Sequence, residues 1–200
     1  MREIDRGVVS IPQTYDLNHL RAIHRHLFQD VYDWAGEVRD VRIQKSEDSE
    51  FAKPRRGEIH ELIDQVHGFV QDIDWERIDR QRFVNSTATA FAYLNQAHPF
   101  REGNGRTTQV FLRDIAAQSP FTLDFTKVDR DAWDEASAQS SPRGDRTWID
   151  PRPLVPLFKA ATHGTPPPTR PAPDRSINVN PNTGPVTGNG PDNIYDGPHL

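Results

Sequence analysis

Apolar residues return every three or four positions in six separate segments of this chain, a spacing that commits it to a packed set of helices. In the first, Leu17, Leu20, Ile23, Leu27 and Val31 share a face. Asp16 is placed to cap the start and Gly36 to stop the end, so the spacing predicts a helix over 16–34. Ile59, Leu62, Ile63, Val66, Phe69 and Val70 mark a second. A third runs from Trp75 to Ala97, and its Ala88, Ala90 and Ala92 suit close helix–helix contact. Val110, Phe111, Leu112, Ile115 and Ala116 lie in a fourth, over 103–118. A weaker fifth spans 129–140. The sixth spans 150–163, with Asp150 at its cap and Pro151 at its first helical position.

The period changes once. Between Val38 and Pro54, the apolar Val38, Val41, Ile43 and Phe51 surround a polar centre at Lys45–Glu50. Two short β-prone runs around such a centre suggest an irregular hairpin, although a solvated loop fits the pattern equally well. No internal repeat is visible. The expected fold class is all-α, a helical bundle with one short β-hairpin.

Composition shows where that bundle stops. Only 34% of the chain is apolar, against about 45–50% for ordinary domains. Nine of the 17 prolines lie between Gly164 and Leu200, so much of the shortfall is local. Pro166-Pro-Pro-Thr-Arg-Pro-Ala-Pro173 reads as extended chain. The Asn/Gly/Pro-rich stretch after it lacks the apolar residues that offset ordering entropy. The expectation is a domain over 7–163 and a flexible, disordered tail over 164–200.

A net charge of −5 argues against nucleic acid as the main partner, since phosphate backbones demand a basic face. The absence of cysteine excludes disulfides and thiolate metal sites. The opening Met1-Arg-Glu-Ile-Asp-Arg has no apolar core of a signal peptide, and no long apolar run offers a membrane span. A soluble, cytoplasmic protein is expected, with no membrane partner. His19, His24 and His26 invite a metal reading, but no third ligand has sensible spacing, and packing is the better account.

The chemistry concentrates in His98-Pro-Phe-Arg-Glu-Gly-Asn-Gly-Arg-Thr107, between the third and fourth helical patterns. Gly103 and Gly105 let the backbone approach a ligand and present consecutive N–H groups. The start of a helix adds unpaired N–H groups and a positive dipole end, so the segment forms an anion cradle suited to phosphate. Arg106 in the first turn offers a cationic fork, in a place mildly unfavourable for the helix itself. Glu102 at the mouth of a phosphate cradle makes sense if Mg2+ sits between them. His98, with an unperturbed pKa near 6.5, can be neutral at pH 7 and accept a proton. A base beside a metal-bound phosphate is the layout for activating a hydroxyl. No lysine follows the glycines, so this is not a Walker loop.

His98-Pro-Phe100-Arg-Glu102-Gly103-Asn104-Gly105-Arg106 resembles the Fic family signature His-x-Phe-x-[Asp/Glu]-Gly-Asn-Gly-Arg-x-x-Arg. Ile23-His-Arg-His-Leu-Phe28, Tyr32-Asp-Trp-Ala-Gly36, Arg39, Lys45 and Phe51-Ala52 look like that family's upstream pattern. The resemblance implies a Fic-type helical bundle with a β-hairpin flap before the catalytic loop. It implies a protein adenylyltransferase of the toxin kind, using ATP as substrate and Mg2+ as cofactor. His98 would be the base that deprotonates a target hydroxyl, and Phe100 would anchor the loop. Glu102 would hold Mg2+. Arg101, Gly103, Asn104, Gly105, Arg106 and Gln109 would bind nucleotide, with the Asn104 side chain on the α-phosphate and Arg106 on the β-phosphate. Lys45 and Phe51 would belong to the flap, on which the target protein docks as an added strand. Relatives that phosphorylate carry lysine where Gly105 stands, so adenylyl transfer is implied here.

One position departs from the signature. Its second arginine is Gln109 in this chain. In the family that arginine seats the γ-phosphate and pairs with an inhibitory glutamate on an [Ser/Thr]-x-x-x-Glu-[Gly/Asn] helix. Ser46–Glu50 has the spacing, but Phe51 follows and the segment lies in the flap, so no internal inhibitor is found. Weaker ATP seating, a different nucleotide donor, and weak inhibition by a separate antitoxin-type partner are the expectations. The competing reading is a catalytically weak Fic-like binding module, against which stands the intact His98, Glu102, Asn104 and Arg106 set.

Overall fold

The structure, a computed structural model, describes residues 11–46 and 49–165. Of the tail expected over 164–200, Gly164 belongs to a strand paired with Phe121, and residues 166–200 lie outside the described residues. Six helices appear where the apolar spacing placed them: α1 (Leu17–Phe28), α2 (Glu58–Gln71), α3 (Arg80–Ala97), α4 (Asn104–Ala116), α5 (Arg130–Ser140) and α6 (Val155–Ala161). α3 is the central element and packs against α2, α4 and α6, while α1 lies on α4. Ala88, Ala90 and Ala92 of α3 are all fully buried, the consequence of small residues admitting neighbours on several sides. The core combines Leu20 and Ile23 of α1, Ile59 and Ile63 of α2, Phe83 and Leu94 of α3, and Phe111 and Leu112 of α4.

Side-chain caps set several boundaries. Asp16 accepts from His19 N at 3.0 Å and starts α1. Asp79 does the same for α3, accepting from Arg82 N at 2.9 Å. That cap separates α3 from a 3-10 turn at Trp75–Arg77, so the helix expected over 75–97 begins at Arg80. Asp129 caps α5 through Ala132 N at 3.0 Å.

Three expectations are corrected. α1 ends at Phe28 rather than Trp34, and Val31, counted on its apolar face, is 68% exposed. The chain instead folds back on α1: Arg21 Nε donates to Gly36 O at 2.9 Å, and Gly36 N donates to His24 Nδ1 at 2.8 Å. Gly36 adopts φ +83° there, where a Cβ would meet Arg21 O and Arg25 Cβ at 3.0 Å, so it shapes this return and not a helix stop. The sixth helical segment is a 3-10 turn at Arg152–Leu154, followed by α6 and then a strand. That strand, Thr162–Gly164, pairs antiparallel with Phe121–Leu123 in a second small sheet that the periodicity did not predict.

The hairpin between α1 and α2 is present as β1 (Gln44–Ser46) and β2 (Ser49–Glu50), antiparallel, with an irregular register between Gln44 and Ser46. The strands flanking α4 and α6 are β3 (Phe121–Leu123) and β4 (Thr162–Gly164).

Candidate active site

The loop from His98 to Gly103 joins α3 to α4, and the ends of both helices shape it. His98 closes α3 in the left-handed conformation, φ 42° and ψ 59°, with its N–H donating to Leu94 O at 3.0 Å. A β-unbranched residue carries that conformation at a cost that the surroundings must offset. Here they do so from two sides. The imidazole lies flat on the Phe51 ring, with centroids 3.9 Å apart and planes 15° from parallel. The His98 carbonyl accepts from Arg39 Nε at 2.6 Å.

Arg39 is 2% exposed and forms no salt bridge with another described residue. Its guanidinium donates to Val41 O at 2.7 Å, Ala52 O at 2.6 Å, and Ala97 O at 3.3 Å, besides His98 O. Its backbone N–H donates to Pro99 O at 2.8 Å. The positive group thus sits at the carbonyl end of α3, where the helix dipole favours a cation. It ties both stems of the flap to the residue that bears the imidazole. Burial holds its pKa below the ordinary arginine value, though a guanidinium remains charged.

On the far side of the loop, His24 is fully buried with its ring stacked on Phe100 at 3.9 Å. Its Nδ1 accepts from Gly36 N, so Nε2 carries the proton and donates to Glu102 O at 3.1 Å. Burial lowers the His24 pKa, which favours the neutral form that this arrangement requires. Histidine packing therefore accounts for His24. His19 has its own partner in Asp114, at 3.0 Å.

Gly103 stands at φ +78°, and a Cβ there would meet two Phe28 ring atoms at 2.5 Å. Only glycine fits that contact. α4 begins directly after it, and its first internal bond runs from Thr107 N to Gly103 O at 3.1 Å. The N–H groups of Asn104, Gly105 and Arg106 consequently have no acceptor within the helix. Gly105 is exposed, and a Cβ built on it meets nothing within 4 Å. Phe28 closes the cradle below and open space lies above.

The charged residues take distinct positions. Glu102 is exposed, with Oε1 accepting from Gly103 N at 3.1 Å. The Arg106 guanidinium lies over the Phe28 ring at 4.5 Å, on the cradle side. Arg101, expected to bind nucleotide, pairs with Asp40 at 3.2 Å and lies 5.9 Å from the Trp34 ring centroid. Gln109 is half-buried and lines a cleft of about 170 Å3 with Phe125, Val128, Arg130 and Trp133.

Two side chains with expected roles turn inward. The Asn104 side chain is buried, its Oδ1 accepts from Phe100 N at 2.9 Å and its Nδ2 donates to Phe100 O at 2.8 Å. The amide thereby ties the loop to the fully buried Phe100. Phe51 is 6% exposed beneath His98, so it positions the imidazole and presents no face to a docking protein. Lys45 contributes backbone to β1, and its side chain lies outside the described residues. Arg39 and His24 support the loop through acceptors, the carbonyls of His98 and Glu102, that only the tertiary fold shows.

The Glu102 carboxylate fits a divalent cation, and the open N–H groups fit the phosphates that would carry it. One exposed carboxylate with phosphate oxygens is the usual protein contribution for Mg2+.

Residues 14–116 match the family model for the Fic/DOC family. The chain is 34% identical over 141 residues to the protein adenylyltransferase VbhT of Bartonella schoenbuchensis, covering 70% of this chain and 29% of that protein. It is 31% identical over 140 residues to the "Probable protein adenylyltransferase Fic" of Escherichia coli K12, covering 68% and 66% respectively. Among solved structures, the N-terminal Fic domain of a VirB-translocated effector from Bartonella quintana, with bound ADP, superposes with a TM-score of 0.67 at 26% identity. That match covers 82% of this chain and 81% of the other. The chain therefore spans under a third of the length of VbhT, and somewhat under two thirds to two thirds of shorter relatives.

Proposed function

Because the chain belongs to the Fic/DOC family, we propose that it is a protein adenylyltransferase, moving AMP from ATP to a hydroxyl side chain of a target protein. The observation that carries this reading is the open cradle at the start of α4, with three unpaired N–H groups and no obstacle above Gly105. A phosphate seated there would meet donors already oriented, which is how such sites stabilise charge at a reacting phosphorus. The names of the relatives and the ADP held by the Bartonella quintana domain support the same reading.

The chain's residues divide the work as follows. His98 accepts the proton of the target hydroxyl. The hydroxyl oxygen forms its bond to the α-phosphorus, the bond from that phosphorus to the bridging oxygen breaks, and pyrophosphate leaves. Phe51 and Arg39 hold the imidazole and its carbonyl during this step. Arg106 neutralises the β-phosphate, and Glu102 offers its carboxylate to Mg2+. That ion, when bound, spreads the negative charge that builds on the leaving phosphates. Asn104 keeps the loop closed on Phe100. Among the described residues neither β1 nor β2 pairs with a third strand, which leaves a free edge for an extended target segment.

Gln109 supports a specific refinement: seating of the γ-phosphate is weakened, because a charge-assisted contact worth about 1.5–3 kcal/mol becomes a neutral one. The same change weakens restraint by a separate antitoxin-type partner that presents a glutamate. The test is label transfer from α-labelled ATP with Mg2+ in cell lysate, comparing the protein with His98→Ala. Protein-bound label with the unsubstituted chain alone supports the reading. Equal labelling by both sinks His98 as the base, whose loss should cost about 10²–10⁴-fold.

A further inference from the structure

The flap rises from two stems, and the stems themselves form a groove. Asp40, Val41 and Arg42 lead into the hairpin, and Lys53, Pro54, Arg55 and Arg56 lead out of it. Together they line a depression of about 450 Å3 that the proposed chemistry leaves unused. Its walls are held in place. Ala52 N donates to Gln96 O at 2.9 Å, Lys53 N donates to Glu58 Oε2 at 2.7 Å, and Arg39 bonds both stems. Pro54 opens a 3-10 turn that Gly57 closes in the left-handed conformation, so Arg55 and Arg56 stand on a constrained corner.

The groove's charge balance is one-sided. Asp40 is already paired with Arg101 at 3.2 Å. Glu50, just outside, is matched by Lys53 at 3.0 Å and Arg42 at 3.7 Å. Arg55 and Arg56 are exposed, and neither forms a salt bridge with another described residue; Arg56 acts on Glu50 only at longer range, after Lys53 and Arg42. Val41, 49% exposed, adds an apolar contact on the facing wall. The stretch 39–56 holds six Lys or Arg against four Asp or Glu in a chain whose net charge is −5, so the cations are concentrated where the flap begins.

We propose that this groove receives an acidic segment of the target protein, so that the substrate class is a hydroxyl flanked by Asp or Glu. The inference rests on the adenylyl-transfer reading for the identity of its partner. A strand added to the flap edge continues along the stems, and carboxylates on its flank meet Arg55 and Arg56. Phe51, two residues before Lys53, touches the His98 ring, so groove and base share one continuous segment. A nucleic acid is the weaker occupant. A polyanion gains affinity by neutralising some 6–10 phosphates, and the groove offers four cations on an otherwise acidic chain. Backbone pairing along the flap reads little sequence, and the groove supplies the discrimination that pairing lacks.

The test uses two fluorescent synthetic peptides of equal length. Each carries Ser, Thr and Tyr at its centre, flanked in one by Glu and in the other by Lys, and anisotropy measures binding to the full chain. The Glu peptide should bind more tightly, with affinity that falls as salt rises. The folded Arg55→Glu/Arg56→Glu variant, checked by circular dichroism, should lose roughly tenfold or more toward the Glu peptide and prefer the Lys peptide. Equal binding of the two peptides, binding of neither, or an unaltered preference in the variant overturns the proposal. So does a single-stranded oligonucleotide that outcompetes the Glu peptide in a manner dependent on Arg55 and Arg56. Label from α-labelled ATP is followed on both peptides in parallel. Equal transfer to both peptides sinks the groove and keeps the transferase. Selective binding of the Glu peptide without any transfer, to peptides or to lysate proteins, keeps the cationic groove and sinks the transferase.

Discussion

Replacing Arg39 by methionine should unsettle the active site without touching any group that meets the nucleotide. The side chain of Arg39 is buried and donates to four carbonyls, those of Val41, Ala52, Ala97 and His98. Methionine matches much of the stem's volume and removes every donor. Hydrogen bonds to a charged group contribute about 1.5–3 kcal/mol each, but these share one guanidinium and are not additive. The longest, to Ala97 at 3.3 Å, contributes least. Relief from burying a charge offsets part of the loss. The net cost expected is about 3–5 kcal/mol, a large fraction of the stability of an ordinary domain. At about 2–4 °C per kcal/mol for a chain of this size, the melting temperature should fall by roughly 6–20 °C. Lysine keeps the charge but has only three donors on one nitrogen, so Arg39→Lys should fall between the two. The assay pairs thermal denaturation with label transfer measured well below the variant's melting temperature. There kcat should drop while the Kd for ATP holds, because the cradle at α4 is untouched and the imidazole is not. A methionine variant that melts within about 2 °C of the unsubstituted protein would refute the ledger. One that keeps full kcat would refute the positioning role.

Four further outcomes follow from the same geometry. Gly103→Ala drives a methyl into Phe28 and strains a positive φ, so it should cost about 2–4 kcal/mol in chemical denaturation. Gly105→Ala meets open space at an ordinary φ; it should leave stability unchanged or raise it by up to about 1 kcal/mol, yet weaken ATP binding in calorimetry. Gln109→Arg should raise transfer with ATP, and unchanged or lower transfer would count against weakened γ-phosphate seating. His24, whose burial lowers its pKa below the ordinary histidine value of 6.5, is neutral in the fold while the unfolded chain takes up a proton. Its stabilising contribution is present above pH 6.5 and is lost as pH falls through the folded value. Denaturation between neutral and mildly acidic pH should show a slope of up to about 1.4 kcal/mol per pH unit, reduced in His24→Gln.

The loop between α3 and α4 is legible as a helix start rich in glycine because its pattern is local. Glycines, a helix start and an arginine in the first turn declare an anion cradle whatever surrounds them. The helices were legible where cap and apolar spacing agree, as at Asp16, whereas at Asp79 the spacing runs back to Trp75, past the cap that starts α3. The spacing misled at the end of α1, since Val31 keeps the period beyond the point where Gly36 and Arg21 pull the chain back. β3 and β4 are three residues each, too short for alternation to register. The inward turn of Asn104 and Phe51 is not legible, because a residue type reveals what it can bond, not which way it turns. Arg39 and His24 act on carbonyls far away in sequence, at His98 and Glu102. No spacing rule connects such pairs. They support the loop from opposite flanks, which is why a segment rich in glycine stands in one conformation.

The central claim is that the bond broken lies between the α- and β-phosphates. Parallel incubations with ATP labelled on the α- or the γ-phosphate, each with a cell lysate and Mg2+, test it most directly. The account predicts label on protein from the α-phosphate only, with pyrophosphate released and both signals abolished in His98→Ala. Protein label from the γ-phosphate, or α-label that persists in His98→Ala, would contradict it.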